Sequence, residues 1–189
     1  MTAFTPANQL TLLRMLLIPA FVILVLYGQL GWALIIFATA GLTDGLDGLL
    51  ARWSGQHTSL GAWLDPMADK LLLVTTFIIL TLPGLGLANR LPIWLTVCII
   101  SRDVAIVLTV AIVNLAIGPR TFRPSIFGKI ATATYILTAV AAMLFNYLRY
   151  RSIIVDAFVY ASLAITLISS LHYIWHAARI IDEPAPVRQ

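Results

Sequence analysis

Six apolar runs, at roughly 15–27, 31–51, 61–82, 91–113, 125–147 and 154–177, leave this chain one environment in which to fold. Its 189 residues are 60% hydrophobic and 11% charged, a balance too apolar for a soluble domain of this size. The expectation is an all-α, polytopic membrane protein with six transmembrane helices. Gly28 to Gly31, Ser54 to His57, Pro83 to Gly86, Gly118-Pro119 and the basic Arg149-Tyr150-Arg151 segment punctuate the spans. Neither a linker nor a repeat breaks the pattern, so residues 1–189 read as one domain.

Ahead of the first, short span, Asn8, Thr11 and Arg14 recur every third residue among leucines, which predicts an interfacial helix over residues 1–14. The six-helix core then covers 15–177 and a cytoplasmic tail 178–189. The first apolar run lacks the basic start and small-residue cleavage pattern of a signal peptide and reads as a retained span. Arg14, Arg52, Arg120, Arg123, Lys129, Arg179 and Arg188 fall at one set of span ends, and Arg90, Arg149 and Arg151 at the other. That asymmetry predicts cytoplasmic termini. The net charge of +4 suits anionic lipid and is too small and dispersed for nucleic acid. Cys98 is the single cysteine, which excludes a disulfide framework and a thiolate zinc site.

Against this background, Asp44, Asp47, Asp65 and Asp69 hold half of the eight acidic residues in one 26-residue window flanked by apolar sequence. Each intramembrane carboxylate costs roughly 2.5–3.5 kcal/mol at a helix centre, so four need a compensating charge. The three-residue and four-residue spacings put each pair on one helix face. The short connection around residues 53–60 makes the two helices antiparallel neighbours, so the four carboxylates can converge. Oxygen donors of this kind suit Mg²⁺, Mn²⁺ or Ca²⁺, and two such ions form a clamp for displacement at phosphorus. Gly45, Gly48 and Gly61 let a phosphorylated group approach the backbone, and Arg52 is placed to grip a phosphate.

The full pattern, Asp-x2-Asp-Gly-x2-Ala-Arg-x8-Gly-x3-Asp-x3-Asp, is filled at Asp44, Asp47, Gly48, Ala51, Arg52, Gly61, Asp65 and Asp69. With it the chain resembles the CDP-alcohol phosphotransferases, whose six-helix membrane core matches the span count. The resemblance implies two divalent cations, Mg²⁺ or Mn²⁺, held by Asp44, Asp47, Asp65 and Asp69, with Asp69 also the general base. Asp44, Gly48, Ala51 and Arg52 would line the CDP site. The reaction implied is attack of an alcohol on the β-phosphorus of CDP-diacylglycerol with release of CMP, a step in phospholipid biosynthesis. A homodimer is implied as well, and the basic-residue asymmetry puts the aspartate hairpin, like the termini, on the cytoplasmic side, in a bacterial inner membrane.

The segments Leu64 to Lys70 and Asn8 to Arg14, with Pro19 following, resemble the phosphatidylglycerophosphate synthase and cardiolipin synthase branch. Ile99-Ile100-Ser101-Arg102-Asp103 resembles it too, while Asp103 and Arg123 to Lys129 lean toward the cardiolipin synthases. Glycerol 3-phosphate is the acceptor expected first and phosphatidylglycerol second. Arg102, Arg123, Lys129, Asn8 and Arg14 are the acceptor candidates. Each has a plainer reading: Arg102 and Asp103 as partners of Asp69 or Lys70, Arg120, Arg123 and Lys129 as positive-side anchors, Asn8 and Arg14 as anchors of the interfacial helix. His172 and His176 share a helix face with an aromatic neighbourhood that marks the membrane interface rather than a metal. A prenyltransferase would not need the Gly48 and Ala51-Arg52 spacing. A cation or proton transporter would spread its acids over several spans.

Overall fold

The computed structural model describes residues 6–54, 59–117 and 125–182, with side chains at 9–43, 67–113, 115 and 125–175. The described residues form six helices in order: α1 Pro6–Leu26, α2 Leu30–Ser54, α3 Ser59–Thr81, α4 Ile93–Ile117, α5 Ile126–Tyr147 and α6 Ile153–Asp182. No strand occurs among the described residues. Among the described residues, four stretches are long and apolar enough to cross a membrane: Gln9–Leu26, Ile93–Val113, Ile126–Tyr147 and Ile153–Trp175. In α2 the apolar stretch is the shorter Leu30–Thr43, which ends where Asp44 begins the acidic motif. No break separates an interfacial segment from the first span. Pro6 opens one continuous helix that runs to Leu26, because proline suits a first helical position and Pro19 is accommodated in its interior.

The chain divides into two compact units, Met1–Leu91 with Ala139–Ser152, and Pro92–Thr138 with Ile153–Gln189. In the first, α1 packs against both α2 and α3. The buried face of α1 is Thr11, Arg14, Phe21 and Val25, at helical spacing, and meets α2 through the Phe21 and Phe37 rings, 6.1 Å apart. Ala33 and Ala40 on α2 and Ala68 on α3 are wholly buried, the small residues that allow close helix approach in lipid. Beyond α3, Leu91 donates its N–H to the Leu80 carbonyl. Asn89 then ties the loop to the end of α5: its N–H donates to Asn146 Oδ1 (2.7 Å), its Nδ2 to the Tyr150 carbonyl (2.7 Å), and its Oδ1 accepts from the Ser152 N–H (2.8 Å).

In the second unit α4 packs on α6. The buried stripe of α6 is Val155, Val159, Ser162, Thr166 and Ser169, a heptad-like seam whose lower half is hydroxylic. Tyr135 Oη meets Thr166 Oγ1 at 2.6 Å and Thr138 Oγ1 meets Ser162 Oγ at 2.7 Å, so α5 and α6 are joined by hydroxyl pairs where lipid offers no partner. Ser125 caps α5: its Oγ accepts from the Gly128 N–H at 3.0 Å and its carbonyl from the Lys129 N–H. Outward faces are apolar, with Leu16, Leu115 and Ile153 among the most exposed side chains, as a lipid-facing surface requires.

Candidate active site

Asp44 and Asp47 lie in the C-terminal half of α2 and Asp65 and Asp69 in the N-terminal half of α3. In sequence only residues 55–58 stand between the two helices, and α2 and α3 are in contact. The side chains of Asp44, Asp47, Gly48, Ala51, Arg52, Gly61 and Asp65 lie outside the described residues. Asp69 is described. Its carboxylate Oδ1 takes an ion pair and hydrogen bond from Arg14 Nη1 on α1, with Arg14 wholly buried and Asp69 39% exposed. A buried guanidinium demands a compensating charge, and the acidic motif supplies it across 55 residues of sequence. Arg14 was expected either to anchor a helix or to touch the acceptor; neither reading contained this partnership. Asn8 falls on α1, its side chain outside the described residues.

Arg102 belongs to the second unit. Its Nη1 donates to Asp103 Oδ1 at 2.7 Å and its Nη2 to Ser169 Oγ on α6 at 2.6 Å. The side chain is 10% exposed, and its Nε is buried with no hydrogen-bond partner among the described residues. Gly128 gives the guanidinium room: a Cβ there would stand 3.3 Å from Nη2. Lys129, the next residue, is exposed. Arg120 and Arg123 lie outside the described residues. His172 stacks on Phe127, ring centroids 4.8 Å apart, and Tyr173 Oη donates to the Ile106 carbonyl at 3.4 Å. His176 lies outside the described side chains. Nothing local in the sequence marks Ser169 apart from its place as a serine on the polar seam of an apolar helix, where it is buried.

The donor set is compatible with hard divalent cations. All four motif side chains offer oxygen only, and the one described, Asp69, is 39% exposed. A model of the CDP-alcohol phosphatidyltransferase family matches residues 4–172. The chain belongs to that family. It is a transferase of phospholipid biosynthesis. Among curated relatives, a Mycobacterium tuberculosis protein named "probable phosphatidylglycerophosphate synthase" is 36% identical over 189 residues, which cover 93% of this chain and 82% of that one. Human cardiolipin synthase (CMP-forming) is 32% identical over 192 residues, 93% of this chain and 62% of the human protein. The Streptomyces coelicolor cardiolipin synthase (CMP-forming) is 38% identical over 116 residues, 58% of this chain and 52% of that one.

Proposed function

We propose that this enzyme transfers the phosphatidyl group of CDP-diacylglycerol to glycerol 3-phosphate, giving phosphatidylglycerophosphate and CMP. The observation that carries the reading is the complete eight-position motif on two adjoining helices, with Asp69 held by a buried arginine. The similarity to the mycobacterial synthase across 93% of the chain supports the acceptor.

In this reading Gly48, Ala51 and Arg52 bind the CDP moiety together with Asp44, the glycine leaving room for the nucleotide and the arginine meeting the diphosphate. The acceptor hydroxyl attacks the β-phosphorus, the bond from that phosphorus to the CMP oxygen breaks, and the hydroxyl proton passes to the Asp69 carboxylate. Arg14 positions Asp69: an ion pair to a wholly buried partner fixes the carboxylate's orientation, and the Asp69 side chain itself stays 39% exposed. Two divalent cations, Mg²⁺ or Mn²⁺, held by Asp44, Asp47, Asp65 and Asp69, would neutralise charge on the attacking and leaving oxygens.

For the acceptor phosphate we assign Arg102, with Lys129, Arg123 and Asn8 as further candidates. Ser169 and Asp103 hold two edges of the Arg102 guanidinium, and its buried Nε is an unused donor. Arg14, also a candidate, is committed to Asp69. The basic-residue asymmetry supports cytoplasmic termini and a cytoplasmic active site, in a bacterial inner membrane, and the family resemblance supports a homodimer.

A second reading, cardiolipin synthesis with phosphatidylglycerol as acceptor, is favoured by the match to the human enzyme over 93% of this chain. Offering both acceptors to the purified enzyme with labelled CDP-diacylglycerol distinguishes them, since only the true acceptor drives CMP release.

A further inference from the structure

We infer that the end of the first unit remote from the aspartates contains a second lipid site, which takes the phosphate headgroup of an anionic phospholipid. A cavity of about 960 Å³ opens there, between the ends of α1 and α5, the start of α2 and the loop after α3. Its size lies toward the upper end of small-molecule sites, about 300–1,000 Å³. Leu30, Leu34, Ile35 and Leu144 supply apolar wall, while Trp32 and Arg149 supply an interfacial aromatic and a cation. Asp44 lies about 14–21 Å further along α2, given the helical rise per residue, so this is not the phosphotransfer site.

The backbone at Arg149 strengthens the assignment. At the end of α1, Gly28 N–H donates to the Val25 carbonyl and Gln29 N–H to the Leu24 carbonyl, with Gly28 at φ 72°. At the end of α5, Arg149 N–H donates to the Asn146 carbonyl and Tyr150 N–H to the Phe145 carbonyl, with Arg149 at φ 54°. Both are Schellman terminations, whose left-handed position glycine fills at no steric cost. The two stand on the same cavity, yet one uses arginine, and Arg149 is the only non-glycine residue with positive φ among those described. An unfavourable backbone retained for a cation at a cavity wall points to a use for that cation.

The charge balance selects the ligand. The residues that line the cavity include one cation, Arg149, and not one acidic residue. The Arg149 side chain is exposed and makes no hydrogen bond or ion pair among the described residues. An apolar wall beside an uncompensated guanidinium at a membrane boundary matches a phosphate with acyl chains attached, and bidentate phosphate binding is what arginine does best.

The test uses the full-length protein in nanodiscs of phosphatidylcholine with a photoactivatable phosphatidylglycerol, followed by peptide mapping. CDP-diacylglycerol is kept saturating, so that the catalytic site is filled. Label is expected on residues 28–35 and 144–149, displaced by unlabelled phosphatidylglycerol and not by added phosphatidylcholine. Arg149→Gly should reduce that label about tenfold while leaving the melting temperature unchanged or raised, since glycine relieves the left-handed strain. Arg149→Lys should retain most of it. Label that survives Arg149→Gly, that phosphatidylcholine displaces equally, that maps elsewhere, or that falls as far in Arg149→Lys as in Arg149→Gly would overturn the inference.

Discussion

Arg14 of α1 and Asp69 of α3 form an ion pair in which the arginine is wholly buried and the aspartate remains 39% exposed. The helix expected to start at the membrane surface therefore reaches into the acidic motif. Its buried cation offsets part of the cost of placing carboxylates in an apolar segment.

Arg14→Ala should remove the charge that orients Asp69 and leave a void where a fully buried side chain stood. Losing one partner of a buried pair costs about 3–5 kcal/mol, and the exposure of Asp69 places this case toward the lower end. A lowered melting temperature together with a fall in turnover is expected, and Arg14→Lys should recover part of both. Thermal denaturation in parallel with CMP release measures the two.

Asp69→Asn should depress turnover by about 10²- to 10⁴-fold, the range of a general base, while CDP-diacylglycerol binding is less affected than in the other three motif variants. Asp44→Asn, Asp47→Asn and Asp65→Asn should lower metal affinity and turnover together. Direct nucleotide-lipid binding by each variant separates the two classes; equal loss in all four would remove the distinct role of Asp69.

The all-helical class, the apolar spans and the family motif were legible in the sequence, because fixed gaps and 20-residue apolar runs are local signals. The partner of Asp69 was not. Arg14 stands 55 residues away, and only the packing of α1 on α3 brings the two together. Arg102 was visible as an oddity within an apolar span, but its hold on Ser169, 67 residues on, depends on how α4 and α6 meet. The expected boundary between an interfacial helix and a first span did not materialise, because a polar residue every third position on one face is compatible with a single buried helix as well.

Ser169→Ala should unfix the Arg102 guanidinium. A hydrogen bond to a charged group contributes about 1.5–3 kcal/mol, so KM for glycerol 3-phosphate should rise by about tenfold or more, with KM for CDP-diacylglycerol unchanged. Arg102→Ala should raise it by tens-fold. Steady-state kinetics with each substrate varied in turn checks both variants, and an equal effect on the two KM values would contradict the assignment.

Asn89→Ala should act on stability alone. It removes the Nδ2 bond to Tyr150 and leaves the Ser152 N–H without its side-chain acceptor, at about 2–4 kcal/mol for the two. A lowered melting temperature with unaltered KM values is the expected result.

The most direct test of the central claim is CMP release by the purified enzyme in lipid nanodiscs, from labelled CDP-diacylglycerol, with chelator, Mg²⁺ or Mn²⁺, and with glycerol 3-phosphate or phosphatidylglycerol as acceptor. The account predicts no release in chelator, recovery with either cation, and labelled phosphatidylglycerophosphate formed only when glycerol 3-phosphate is present. Consumption of phosphatidylglycerol with glycerol 3-phosphate ignored would contradict the acceptor, and undiminished release in excess chelator would contradict the metal chemistry.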